Sequence, residues 1–271
     1  MATTLTILGC GSSGGVPRIG LSGWGNCDPE NPRNRRRRCS VLVTERNSSG
    51  GRTDILIDTS PDLREQLLSA DIQNLDAVFY THDHADHAHG IDDLRPLVQA
   101  RKEKLPVYAE QETARGISTR FDYCFETPQG SNYPPILDLK LIEEGDVITI
   151  SGAGGSVSME PFYIIHGEIK AFGFRINDKA LYIPDVSQIP DEAYGKLDQA
   201  KVLLIDALRD KPHPSHFSVG QALEVISKVR PQRAILTNLN QDLDYSELAA
   251  RFSSVFPFIE PAYDGMEIDL K

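Results

Sequence analysis

The most chemically loaded stretch of this 271-residue chain is THDHADHAHG, at 81–90. Four of its seven histidines, His82, His84, His87 and His89, fall there, with Asp83 and Asp86 interleaved. Histidine-rich tracts of this kind suggest metal binding. The spacing sharpens the suggestion. His82 and His84 are two apart, so in an extended segment they project to one side, whereas in a helix they would not. Asp86 and His87 follow as the chain turns towards a helix. The run can therefore offer two imidazoles to one ion, and a carboxylate plus an imidazole to a second. Nitrogen and oxygen donors suit Zn²⁺, and also Mn²⁺ or Fe²⁺. His89 fits neither pair and reads as a capping or supporting residue.

Such a cluster needs elements that hold it. It directly follows Asp76–Thr81, DAVFYT, which reads as a buried strand, and ligands commonly bind at such a sheet edge. Upstream, Thr3–Leu8, Cys39–Thr44 and Asp54–Thr59 read as strands, the last two around the turn signal SSGG at 48–51. A Ser60-Pro61 start signal predicts a helix over Asp62–Ala70, and 90–101 and 111–125 also read as helical. Downstream, Leu137–Ile142, Val147–Ile150, Val157–Ile165, Ala171–Ile176 and Ala180–Ile183 are rich in β-branched and aromatic residues. Val202–Asp206 and Ala234–Thr237 are short apolar strands beside helices at Val219–Val229 and Tyr245–Phe252. Both halves run strands first and then helix–strand alternation. Two mixed sheets, each covered by helices on its outer face, satisfy the layer rule in one α/β domain over residues 1–271, though other α/β arrangements share the pattern. The Gly-, Ser-, Asn- and Pro-rich stretch from Gly9 to Pro32 reads as a long loop with a function or mobility of its own.

Composition narrows the classes. The chain is 40% apolar and 25% charged, which argues against disorder. Its formal charge of −11 counts against a dedicated nucleic-acid binder. No apolar run approaches the ~18 residues of a membrane span, and the opening residues carry no basic stretch of a signal peptide. The four cysteines are scattered and form no CxxC pair, so reduced thiols and a cytoplasmic location are expected.

The run H-x-H-x-D-H, filled by His82, His84, Asp86 and His87, resembles the signature of the metallo-β-lactamase-fold hydrolases. That resemblance implies a four-layer αββα sandwich with two divalent metals, Zn or Mn, at one edge between the sheets. It implies that His82, His84 and His166 hold the first metal, that Asp86 and His87 hold the second, and that Asp185 in LYIPD bridges them. Without it, His166 in FYIIHG reads as a core or loop histidine, and Asp185 as a turn residue. Asp58, in LIDTSPD, matches an acidic position that orients a ligand imidazole.

Nearly the whole chain is similar to the phosphodiesterase branch that includes ribonuclease Z and the phosphoribosyl cyclic phosphate phosphodiesterases. LGCGSSGGVP at 8–17, HPSHFSVGQALEVI at 213–226 and PAYDGMEIDL at 261–270 each resemble a segment of that branch. The chemistry implied is in-line attack on phosphorus by a hydroxide held between two metals. Asp86 serves it through the second metal, and His216 matches the candidate general acid and substrate contact. His213 reads as a loop histidine. A homodimer is expected from the family rather than from any residue.

Two departures from the branch stand out. Asn238, in LTNLNQDLDY, occupies the place of a histidine that completes the second metal site, and Asn240 follows. An amide oxygen is a poorer ligand than imidazole, so a weak or partly empty second site is expected. Some cyclic phosphodiesterases also carry a cysteine-rich structural zinc near the N-terminus. Here only Cys27 falls in that region before Cys39, Gln241 stands where a late histidine would serve, and no such zinc is expected.

Arg33 and Arg35–Arg38 form the one strong basic run, and Arg37 within it is read as a phosphate-receiving guanidinium. The alternative is a solvated run, because alternate residues of an extended segment point in opposite directions. The function expected is a metal-dependent hydrolase, a phosphodiesterase for a small nucleotide-like or cyclic phosphate ester, with no membrane or extended nucleic-acid partner. Ribonuclease Z-like RNA processing would need a basic arm. Thioesterase or lactonase chemistry uses the same metal cradle. A nucleotide-binding protein with one metal is the non-enzymatic alternative.

Overall fold

A three-strand antiparallel meander starts the first sheet: Ala2–Gly9 (β1), Ser40–Arg46 (β2) and Arg52–Ile57 (β3). The computed structural model describes residues 2–270. Ala77–Phe79 (β4), Leu105–Ala109 (β5) and Leu137–Leu141 (β6) then add in parallel. Parallel pairing needs crossovers, and these carry Leu63–Ser69 (α1), Ala85–Ala88 (α2), Arg95–Arg101 (α3), Gln111–Arg120 (α4) and Asp122–Phe125 (α5).

The second half repeats the plan. Ile148–Gly152 (β7), Gly155–His166 (β8), Ile169–Ile176 (β9) and Ala180–Ile183 (β10) form a meander. Val202–Asp206 (β11), Arg233–Thr237 (β12) and Ile259–Pro261 (β13) follow in parallel. Tyr194–Leu197 (α6), Val219–Val229 (α7) and Tyr245–Ser253 (α8) lie in their connections. Glu267–Asp269 (β14) returns to the first sheet, antiparallel to β1. The sheet orders are β14-β1-β2-β3-β4-β5-β6 and β13-β12-β11-β10-β9-β8-β7.

Apolar side chains fill three layers. Between the sheets, Ile7, Val43, Ile55 and Phe79 meet Phe172, Phe174, Tyr182, Leu204 and Ile235. Outside the first sheet, Leu42, Leu56, Val78 and Val107 pack with Leu63, Leu94, Val98 and Ile117. Outside the second, Leu203, Ile205 and Leu236 pack with Ala222, Ile226, Leu248 and Phe252. Strand residues alternate between layers, so a central strand buried on both faces needs an uninterrupted apolar run. This is the αββα sandwich.

The differences from the sequence reading have local causes. β5 is absent from that reading because Pro106 interrupts LPVYA, and proline within a run weakens a strand assignment. The strand expected over 76–81 closes after Phe79, because the Thr81 N–H donates to the Asp58 carboxylate instead of a neighbouring strand. The helix expected over 111–125 breaks at Phe121, whose φ of −130° and ψ of 41° are not helical. The segment 90–101 opens as a 3₁₀ turn over Ile91–Leu94 before α3. No helix among the described residues is long and apolar enough to cross a membrane.

Candidate metal centre

The carboxyl ends of the parallel strands converge on one edge between the sheets. Asp58 follows β3, His82 and His84 follow β4, His166 ends β8, Asp185 follows β10, Asp206 ends β11 and Asn238 follows β12. One donor atom from each of His82, His84 and His166 lies within 4.8 Å of the others. The same holds for His82, His87 and Asp185, and for His166, Asp185 and His216. Asp185 joins all of this. Its Oδ2 lies 3.8, 3.4 and 3.6 Å from Nε2 of His82, His87 and His166.

The tautomers follow from the hydrogen bonds. Buried Asp58 accepts from the Thr81 N–H at 2.8 Å, the Thr81 hydroxyl at 2.8 Å and His87 Nδ1 at 2.8 Å. The Thr81 oxygen in turn sits 3.0 Å from His82 Nδ1. Both imidazoles therefore keep a proton on Nδ1 and turn Nε2 to the centre. His166 is fixed likewise, with Nδ1 donating to the Ser215 carbonyl at 2.6 Å. Asp58 holds this network from φ +64°, a left-handed conformation that Asp tolerates better than most residues.

These residues fit a divalent cation. The buried Nε2 atoms of His82 and His87 have no hydrogen-bond partner, and a buried polar atom left so is costly. His166 Nε2 faces His84 Nδ1 at 3.2 Å, an arrangement that a cation between them would satisfy. Burial holds the His82 and His166 imidazoles below the ordinary histidine range, and therefore neutral and ready to ligate. His87 goes the other way. Burial opposes its charge, but Asp185, Asp58 and Asp86 outweigh it and hold it well above the usual value.

Two expected outcomes follow. A cation entering at His87 must displace a proton at pH 7, so affinity rises with pH. Calorimetry of Zn²⁺ binding in buffers of different ionisation enthalpy should give release of about one proton; heats independent of buffer would refute this. Asp58→Asn keeps the left-handed residue but loses the charge behind two imidazoles. It should weaken metal binding about 10–100-fold in chelator competition, and unchanged affinity would remove Asp58 from the centre.

The other predicted residues are placed as follows. Asp86 lies in the first turn of α2, with Oδ2 3.6 Å from His87 Nε2. His89 is exposed, caps α2 and meets the Phe121 ring edge-on at 5.3 Å. His216 lies just ahead of α7, in a segment fixed by a capping box between Ser218 and Gln221. Its Nδ1 donates to Asp206 Oδ2 at 2.9 Å, and its ring is 4.7 Å from that of His166. His213 is no remote loop residue, since its ring stands 5.1 Å from His216.

Two expectations need correction. Asn238 does not offer an oxygen to the centre. Its Nδ2 donates to Asp185 Oδ1 and Asp206 Oδ1, each at 3.1 Å, because two buried carboxylates there need donors. A flipped amide would set its oxygen against both. Arg37 is not among the histidines either. Its Nε pairs with Asp264 at 3.0 Å, and its Nη1 donates to the Glu65 carbonyl and Ser69 Oγ.

Arg33, Arg36 and Arg38 are likewise tied down. Arg38 pairs with Asp62, and Arg33 lies over the Tyr245 and Tyr263 rings. Arg36 is only 2% exposed. Its guanidinium donates to the carbonyls of Asn240 and Leu243 at 2.9 and 2.7 Å and to Asn34 Oδ1 at 3.2 Å, and lies 3.7 Å from Cys27 Sγ.

Asp206 is the site residue that the sequence reading missed. It is fully buried and accepts from the Val186 N–H, His216 and Asn238. The available signal was VLLID, an apolar strand ending in a carboxylate, as in the segments of Asp58 and Asp185.

Paired mixed sheets with a His/Asp centre at the strand ends define the metallo-β-lactamase class of protein. Residues 53–237 match the family described as the beta-lactamase superfamily domain. A solved structure described as a new diphosphatase from the PhnP family superposes with a TM-score of 0.86 at 34% identity, over 99% of this chain and 97% of that one. The chain belongs to the beta-lactamase superfamily, in its PhnP-like branch.

Among curated proteins, the octanoyltransferase of Porphyromonas gingivalis is 35% identical over 262 residues, which is 96% of this chain and 50% of that protein. Exodeoxyribonuclease WalJ of Streptococcus pneumoniae is 26% identical over 144 residues, 51% of this chain and 46% of that one. The chain spans about half the length of the curated relatives it matches.

Proposed function

We propose that the protein is a metal-dependent phosphodiesterase acting on a small phosphate ester. The observation that carries this reading is the His216–Asp206 pair standing against the metal centre. Ester cleavage at phosphorus expels an alkoxide that needs a proton. Asp206 holds the His216 proton on Nδ1, so in the charged ring Nε2–H is free for the leaving oxygen. Burial disfavours charge on His216, but the Asp206 bond and charge outweigh it and raise its pKa above the ordinary histidine value. Burial also pushes Asp206 up to about 7, with His216 offsetting part of the shift. The two share a proton across their hydrogen bond, and the raised His216 keeps it available for transfer.

His82, His84 and His166 would hold one divalent ion, and His87, Asp86 and Asp185 a second. Bound there, such ions lower the pKa of water and clamp phosphate oxygens. The neutral imidazoles of His82 and His166 leave their lone pairs available, and Asp58 keeps the rings aimed. Asn238 withholds an oxygen from the second position, so that position is the weaker. Asn238→His should raise second-site affinity about tenfold or more in equilibrium dialysis; unchanged stoichiometry and affinity would refute the assignment.

Two relatives support phosphate chemistry: by their names, one is a diphosphatase and the other an exodeoxyribonuclease. The octanoyltransferase name belongs to a protein twice the matched length, so it does not by itself assign acyl chemistry to this half. The test is initial-rate hydrolysis of bis(p-nitrophenyl) phosphate and p-nitrophenyl acetate by Zn²⁺- or Mn²⁺-loaded protein. Preference for the diester is expected, and preference for the acyl ester would overturn the reading.

A further inference from the structure

We infer that Arg120, at the end of α4, is a positioning residue for the metal centre and fixes His84 through Asp83. This role rests on the metal positions proposed above and is independent of the substrate.

Three of the four imidazoles at the centre are steered by a hydrogen bond to the ring. Nδ1 of His82 is held at 3.0 Å by Thr81, Nδ1 of His87 at 2.8 Å by Asp58, and Nδ1 of His166 at 2.6 Å by the Ser215 carbonyl. Partners of this kind orient a ligand and tune its affinity. His84 has none. Its Nδ1 faces His166 Nε2 at 3.2 Å, on the side of the centre, and among the described residues no group bonds its Nε2. It is also the exposed member of its donor triad. The ring therefore goes where its backbone puts it.

That backbone is gripped on both sides. Downstream, the His84 carbonyl accepts from the N–H groups of His87 and Ala88, each at 3.0 Å. Upstream, Arg120 Nη1 donates to the Asp83 carbonyl, which belongs to the peptide joining Asp83 to His84. Arg120 Nη2 pairs with the Asp83 carboxylate. One guanidinium thus holds both the peptide and the side chain, a two-point grip suited to its rigid fork of donors.

The helix gives up stability to make room for this. Gly116 lies inside α4, where glycine is destabilising relative to alanine. A Cβ there would overlap the Asp83 carboxylate. Gly116 and Arg120 are four apart and share one face of the helix, so together they form a seat for Asp83. The next residue, Phe121, meets His89 beyond the other end of the ligand run. The end of α4 therefore touches both flanks of residues 82–87.

Chelator competition for Zn²⁺, read beside the thermal melt of metal-free protein, tests the role without turnover. Arg120→Gln should weaken affinity about tenfold. Its melt should barely move, because a partly exposed ion pair contributes little to stability. Arg120→Lys should recover part of the affinity. Asp83→Asn combined with Arg120→Gln should lose no more than Arg120→Gln alone, since the two side chains act as one unit. Gly116→Ala should also weaken binding, although alanine is the better helix former. Unchanged affinity in Arg120→Gln would overturn the positioning role. So would a loss matched by a lower melt and left unrelieved by Arg120→Lys. Absence of Zn²⁺ binding by the unaltered protein would instead sink the metal positions, and the role of Arg120 with them.

Discussion

Asp185→Ala should lower diester hydrolysis about 1,000-fold or more, a barrier increase of about 4 kcal/mol. Its Oδ2 lies within 3.8 Å of three ligand nitrogens, so both proposed ion positions depend on it. Burial would raise its pKa, but His87 and His82 outweigh that and hold it well below the usual carboxylate range. It is therefore ionised at every pH where the protein would work. Without it, three imidazoles face each other with no anion between them, and bound metal should fall in step with activity. The fold should survive, because Asp185 lies beyond the β10 ladder and Asn238 keeps Asp206 as an acceptor. Elemental analysis, initial rates and a thermal melt read the three quantities separately. Full metal content with full activity would remove Asp185 from the centre.

His216→Ala should divide substrates by their leaving group. For an alkyl diester, whose alkoxide needs a proton, kcat should fall about 10²–10⁴-fold. For bis(p-nitrophenyl) phosphate, whose leaving phenolate is stable unprotonated, the fall should be far smaller. The high-pH limb of the alkyl-ester profile should also vanish, since its deprotonation belongs to the His216–Asp206 pair. Equal losses on both esters would make His216 a ligand or a structural residue instead of an acid. That outcome is physically available, because His216 also has a ring nitrogen within 4.8 Å of donors from His166 and Asp185.

Much of the centre was legible because its residues are rare types in a fixed order after a strand. His82, His84, Asp86 and His87 announce themselves within six positions. His166 and Asp185 do not, and only the resemblance singles them out. Asp206 is harder still, since a strand-terminal Asp is common and its role depends on strands β10, β11 and β12 lying side by side. The amide of Asn238 was read as a poor ligand from its chemistry. Its orientation was beyond sequence, because two carboxylates from other strands decide it. The same limit applies to the arginine run. Charge and spacing suggested a patch, whereas Arg36, Arg37 and Arg38 each meet partners far away in the chain. In the fold, the uninterrupted apolar strands were readable; the three-residue β13 and β14 were not, because their stability comes from neighbours rather than from their own pattern, and β5 was not, because Pro106 interrupts it.

The position of Arg36 separates two requirements that one kind of chemistry could have served. Arg36 joins the glycine-rich loop to the 240–243 segment just beyond Asn238, its backbone pairing with Val16 and its guanidinium donating to the Asn240 and Leu243 carbonyls. A guanidinium is charged at all working pH values and inert to oxidation and chelators. Stripping the protein of metal should therefore empty the catalytic centre while the loop that frames its mouth stays fastened. Reloading then becomes a matter of ligand supply rather than of refolding, so the protein could cycle through metal scarcity with its architecture intact.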